Sequence, residues 1–175
     1  MTEKTEIMQL GAKVLRQQAL AVDDFASEEF QRLIDSLHAA MLESNGVGIA
    51  APQLGVSRRI VIVASRPTAR YPHAPDMAPL IMVNPRYEVL DATLVKDWEG
   101  CLSVPGIRAL VSRCRAVEVE YQDIRGKASK ILLKDFPARV FQHEYDHLQG
   151  MVYLDRVESN RDIISETEFF KQIAA

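Results

Sequence analysis

Pro137-Ala138-Arg139-Val140-Phe141-Gln142-His143-Glu144-Tyr145-Asp146-His147-Leu148-Gln149-Gly150 is the stretch around which the rest of the chain arranges itself. Pro137 is tolerable in the first turn of a helix, Asp135 can cap it and Gly150 can stop it, so the residues predict a helix over 137–148. Within it, His143-Glu144-Tyr145-Asp146-His147 sets two histidines four residues apart. At about 100° per residue such side chains lie within about 40° of each other, one turn apart, where both imidazoles can reach one cation. Glu144 follows the first histidine directly and stands beside that cation without ligating it, which is where a base for activated water belongs. Five-residue patterns of this kind recur by chance on amphipathic helices, but two of the four histidines in the chain occupy this one. His38 and His73 have no partner at ligand spacing and read as surface or helix residues. Asp146 reads either as a group orienting a ligand histidine or as a solvated acid.

Upstream of this helix the pattern changes to that of strands. Arg59-Ile60-Val61-Ile62-Val63-Ala64 is a β-branched run suited to a buried strand, and Leu80-Ile81-Met82-Val83 and Tyr87-Glu88-Val89-Leu90 add two more. Val117-Glu118-Val119-Glu120-Tyr121 alternates, as a strand with one wet face does, and Ile124-Arg125-Gly126-Lys127 turns it back into Lys130-Ile131-Leu132-Leu133. Ser27 caps a helix from about Glu28 to Glu43, with Phe30, Leu33, Ile34, Leu37, Ala40 and Met41 on one stripe that should lie against a sheet. Arg66 to Pro79, with Pro67, Pro72, Pro75 and Pro79, reads as a surface excursion, and a last helix is predicted over about Arg161 to Ile173. Together these elements predict a single α+β domain over residues 1–175, with mainly antiparallel sheets packed around a central metal-binding helix, an N-terminal helix and a C-terminal helix.

The chain has 175 residues, 47% of them apolar, enough to bury a sizeable core in one domain. A net charge of -3 excludes a general nucleic-acid binder. Met1-Thr2-Glu3-Lys4-Thr5-Glu6-Ile7 mixes acids and bases and has neither an apolar signal core nor the acid-poor pattern of a transit peptide. No apolar run is long enough to span a membrane. Two cysteines, Cys101 and Cys114, are too few for a disulfide framework, so a soluble, cytoplasmic protein in a reducing compartment is expected, with Cys114 a plain thiol near a strand.

A catalytic ion needs about three protein ligands and an open position. Downstream, Glu158, Glu166 and Glu168 remain open as the third. Upstream, Trp98-Glu99-Gly100-Cys101-Leu102-Ser103-Val104-Pro105-Gly106 offers a thiolate in a glycine-flanked stretch, although a lone cysteine is more often a small apolar residue. Gly46-Val47-Gly48 follows a helix and has no basic neighbour, so it is not a phosphate loop; its plain reading is a helix stop at Gly46 and a close-packed loop. Glu99-Gly100-Cys101-Leu102-Ser103, Gly46-Val47-Gly48-Ile49-Ala50-Ala51-Pro52-Gln53 and Gln142-His143-Glu144-Tyr145-Asp146-His147 resemble, in order and at compatible separations, the three motifs of the peptide deformylases. The resemblance runs from about Ile7 to Leu154.

That resemblance implies a metal-dependent amidohydrolase that removes the N-formyl group of formyl-methionyl peptides, newly made and met at the ribosome, and releases formate. It implies that Cys101, His143 and His147 hold one divalent ion, iron(II) with zinc, nickel or cobalt as substitutes. Glu144 is then the base, and the Gln53 amide and the Leu102 backbone N–H stabilise the oxyanion. Gly46, Gly48, Glu99, Gly100 and Arg139 are expected to line the substrate site, and an apolar pocket near the metal helix to take the methionine side chain. Arg139 is expected either at the pocket entrance or facing solvent with its stem over apolar surface. The alternatives are an H-E-x-x-H metallopeptidase with a downstream glutamate ligand, a structural zinc module, and a deformylase paralogue without turnover.

Overall fold

In the computed structural model, which describes residues 6–173, the elements follow in the order α1 (Glu28–Glu43), β1 (Gly48–Ala50), β2 (Ile60–Ser65), β3 (Met77–Cys101), β4 (Val104–Gln122), β5 (Ala128–Lys134), α2 (Asp135–Leu148), β6 (Ile163–Ser165) and α3 (Glu166–Ile173). Met1–Thr5, part of the stretch read above for a leader, lie outside the described residues. The strands pair antiparallel in the order β1-β2-β3-β4-β5, with β6 added to the Ile107–Ala109 part of β4. The architecture is α+β, as expected. No helix of the described residues is long and apolar enough to cross a membrane.

All six residues of β2 are buried, and strand periodicity explains why. Ile60, Ile62 and Ala64 point to one face, where they pack with Phe30, Ile34, Leu37 and Met41 of α1. Val61 and Val63 point to the other, where Ala138, Val140, Phe141 and Leu148 of α2 meet them beside Val117 and Val119 of β4 and Leu133 of β5. The β-branched run is therefore the middle of a helix-sheet-helix sandwich. Each fully buried aliphatic side chain in it contributes roughly 1.5–3 kcal/mol. At the start of α1, Ser27 Oγ accepts from the Phe30 N–H at 3.3 Å, and Glu28 and Glu29 complement the positive end of the helix.

Four local expectations need correcting. Leu80–Val83 and Tyr87–Leu90 are not separate strands but parts of the 25-residue β3, whose register shifts between Val83 and Arg86. Asn84 makes that possible: it adopts φ 50°, and its side chain accepts from Val22 N and donates to Val22 O, both at 2.8 Å. Asp135 does not cap α2; its φ is 51° and the capping position is Lys134, without a side-chain bond. The stop of α1 is Asn45, at φ 51°, with Gly46 N donating back to Met41 O at 2.9 Å. The terminal helix is shorter than predicted, because Ile163-Ile164-Ser165 pairs with β4 and Ser165 Oγ then accepts from Glu168 N at 3.2 Å to start α3.

Candidate metal centre and substrate cleft

The one-turn spacing on α2 brings His143 and His147 to a common point, and the tip of the β3–β4 hairpin, where Cys101 pairs with Val104, delivers the thiol. The ligating atoms of Cys101, His143 and His147 lie within 4.8 Å of one another, and Cys101 Sγ is 3.3 Å from His147 Nε2. A tetrahedral ion with usual bond lengths would separate a sulfur and a nitrogen donor by about 3.5 Å, so the three residues fit one metal ion. Burial would raise the Cys101 thiol, but the adjacent His147 and His143 outweigh it and hold the group well below the ordinary thiol range, in the form that ligates. Burial likewise opposes protonation of His143, and hydrogen bonding to Cys101 and Glu99 raises it well above the usual imidazole value; an ion would displace that proton.

His143 is aimed from behind. Its Nδ1–H donates to Glu99 Oε2 at 2.9 Å, leaving Nε2 for the cluster. Glu99 in turn accepts from Arg113 Nε and Nη2, both at 2.9 Å, and from Arg139 Nη1 at 2.9 Å. Arg113 continues to Asp146 Oδ2 at 2.6 Å, and Arg156 closes the chain at 2.7 Å on Asp146 Oδ1. Burial alone would raise the Glu99 carboxyl; the Arg113 charge and the His143 hydrogen bond overcome it and keep the group far below the carboxylate range. Asp146 thus neither touches a histidine nor faces solvent, and anchors Arg113 instead.

Glu144, like His147 at Nδ1, has a buried polar atom without a hydrogen-bond partner. It is 5% exposed, its Oε2 has no hydrogen-bond partner, and burial pushes its carboxyl up to about 7 against the lowering effect of the two histidines. A carboxyl with that value can accept and return a proton near neutrality. It lies under Gly48: a β-carbon there would collide with the carboxylate and stand 2.8 Å from Val140 Cγ1. Gly100 is similarly occupied from behind, where a β-carbon would meet the Arg108 guanidinium. Gln53 is held by its Oε1, which accepts from Ala50 N at 2.9 Å, and its Nε2 donates to Ser103 Oγ at 3.2 Å and faces Cys101 Sγ at 3.5 Å.

The structure brings Gly46, Gly48, Gln53, Glu99, Gly100, Cys101, Leu102, Arg139, His143 and Glu144 to the walls of one cleft, with His147 buried beneath. Two of them are also engaged within the protein. The Glu99 carboxylate is taken up by His143 and two arginines, so it orients a ligand from the cleft wall. Arg139 does not face solvent; it lines the cleft 6% exposed and bonds Glu99, Val111 O and Val95 O. The reason is that its helix face is the one that β3 and β4 cover. The downstream glutamates are elsewhere: Glu158 beside Lys96 and Ser112, Glu166 on Arg108, Glu168 on Lys171. His38 and His73 are exposed, and half-buried Cys114 lies in β4.

Sequence reasoning missed Thr68, Arg70, Tyr71 and Phe136 in the cleft and Arg113 behind it. Phe136 and Val140 carry a usable signal, since they precede His143 by seven and three residues on one helix face. Tyr71, whose ring lies 4.7 Å from that of Phe136, belongs to the proline-containing excursion and has no periodicity to betray it.

Residues 4–162 match the family model described as polypeptide deformylase. Peptide deformylase 2 of Nostoc sp. is 53% identical over 167 residues, covering 95% of this chain and 93% of that one. Peptide deformylase 2 of Shewanella oneidensis is 46% identical over 84% of this chain and 81% of its own. Among solved structures, the Met-Ala-Ser-bound class I type b peptide deformylase of Acinetobacter baumannii superposes with a TM-score of 0.86 at 42% identity, covering 90% of this chain and 100% of that chain.

Proposed function

This chain belongs to the polypeptide deformylase family, and on that premise we propose the division of labour by which it removes the formyl group from N-formyl-methionyl peptides. The reading is carried by one observation: a thiol and two imidazoles converge beside a buried carboxyl that has an oxygen without a partner. Cys101, His143 and His147 would hold a divalent cation, and we favour iron(II), with zinc, nickel or cobalt as substitutes, because thiolate with imidazole suits these ions. When bound, such an ion supplies Lewis acidity and lowers the pKa of water.

Glu144 takes a proton from the attacking water and later returns it to the departing methionine amine, so that water and formamide become formate and a free amine. The Gln53 amide and the Leu102 backbone N–H donate to the formyl oxygen as it gains negative charge. Gly46, Gly48 and Gly100 would offer their backbone to the substrate from the cleft wall, Gly48 with Glu144 and Gly100 with the Arg108 guanidinium packed against it, and little room beyond the formyl hydrogen excludes acetyl groups. Glu99 and Arg139 act on the substrate site through His143 and the pocket wall. Because the substrate is a newly made polypeptide, the proposed place of action is the cytoplasm, where chains leave the ribosome.

Formate release from formyl-Met-Ala-Ser by iron(II)-loaded protein, prepared without air, tests this against the Glu144→Gln variant. The parent is expected to turn over, and the variant to lose at least about 100-fold in kcat while keeping its metal. An inert parent with bound metal would reduce the assignment to ancestry. Cleavage of internal peptide bonds would favour a metallopeptidase instead, for which the three downstream glutamates are badly placed.

A further inference from the structure

A buried arginine beside an apolar pocket costs free energy unless its donors are used. Arg139 lines the cleft next to Val140 and Phe136. Its Nη1 donates to Glu99 Oε1 at 2.9 Å and Val111 O at 2.8 Å, and its Nη2 donates to Val95 O. Nε–H and the second Nη2 hydrogen make no hydrogen bond among the described residues. Nor has Arg139 a carboxylate to itself, because Arg113 engages both oxygens of Glu99 and His143 also donates to it. With Arg113 also paired to Asp146 the buried charges balance, and what this part of the cleft wall has in surplus is N–H donors on Arg139.

Its position is set by the helix. Arg139 precedes His143 by one turn, about 6 Å along the axis. The formyl carbon of formyl-methionine is five bonds from the thioether sulfur, also about 6 Å when extended. With the formyl group at the Cys101–His143–His147 cluster and the side chain running along α2, the sulfur comes level with Arg139.

We propose that Arg139 turns the far wall of the side-chain pocket into a hydrogen-bond donor, so that the enzyme selects side chains with an acceptor at this depth. Methionine is preferred to its isostere norleucine, and methionine sulfoxide is accepted. The inference rests on the deformylase reading. A thioether accepts weakly and a sulfoxide oxygen strongly, whereas norleucine leaves the donor unpaired. An apolar wall would instead reject the sulfoxide, whose oxygen would be buried without a partner.

The test uses metal-loaded protein and two readouts: calorimetric Kd for Met-Ala-Ser, norleucyl-Ala-Ser and methionine-sulfoxide-Ala-Ser, and kcat/KM for the formylated forms. The parent is expected to favour methionine over norleucine by about fivefold and to hold the sulfoxide within about tenfold of methionine. Arg139→Leu should abolish the first preference and weaken the sulfoxide by a further factor of about 100. Arg139→Lys, which keeps a charged donor, should recover part of it and serves if the leucine variant does not fold. The proposal is overturned if the parent rejects the sulfoxide by more than about 100-fold, or if the ratios are the same in parent and variants. Kd values in the expected order without formate release from any peptide would uphold the pocket and refute the catalytic reading.

Discussion

Glu99 shows how much of the chemistry of a site can be decided by a residue that need not touch substrate. One carboxylate receives His143 and two guanidinium groups, all nearly dry, and the result is a single orientation for the imidazole. Removing its charge while keeping its shape isolates this role. Glu99→Gln is expected to lower metal affinity by about 10- to 100-fold, read by chelator competition. It should also destabilise the fold by about 3–5 kcal/mol in urea unfolding, since Arg139 would be left buried without its carboxylate and Arg113 with Asp146 alone. An unchanged metal affinity would show that the His143 ring is held by packing alone. Cys101 and Glu144 tell the complementary story: burial raises both, and only the thiol has positive neighbours close enough to reverse the effect.

At the scale of elements, the site depends on how α2 is fixed to the strands on either side. Gln142, next to the first ligand, reaches β4, where its Oε1 accepts from Cys114 N at 3.1 Å and its Nε2 donates to Cys114 O at 2.8 Å. The amide thus completes the ladder of a strand with a side chain from a helix, and sets the height of α2 over the sheet. Gln142→Leu leaves both backbone groups unpaired and should cost at least about 1–3 kcal/mol, measured by urea unfolding of the metal-loaded protein. The length of β3 serves the same end. It carries Glu99 and Cys101 to the mouth of the site at one end while its other end pairs with β2 under α2, and the shift at Asn84 lets one strand do both.

For the whole molecule, the proposed metal ligands join two parts that are distant in sequence, the hairpin tip at Cys101 and the helix at His143 and His147. An ion bound by both stabilises the folded state in proportion to its excess over Kd, by about 4 kcal/mol at a thousandfold excess. Chelation is therefore expected to lower Tm by on the order of 10 °C and to abolish formate release, with both restored by iron(II). Thermal unfolding with and without chelator checks this, and an unchanged Tm would mean that the hairpin and the helix hold their places without the ion. What the sequence determined alone is whatever a short window encodes. The Ser27 cap and apolar stripe of α1, the doubly buried run of β2, the alternation of β4 and the one-turn histidine spacing of α2 are each set by the periodicity of a few neighbouring residues. The three motifs likewise made the family legible by resemblance, and with it the residues that converge as the Cys101–His143–His147 cluster. Tertiary structure alone decided that Arg139 is buried on Glu99, that Asp146 serves Arg113, that Tyr71 closes on Phe136, and that Ile163–Ser165 is a strand. Each of these depends on which groups meet across many residues of chain, and a buried charge takes its partner from the fold around it, where no local period records the choice.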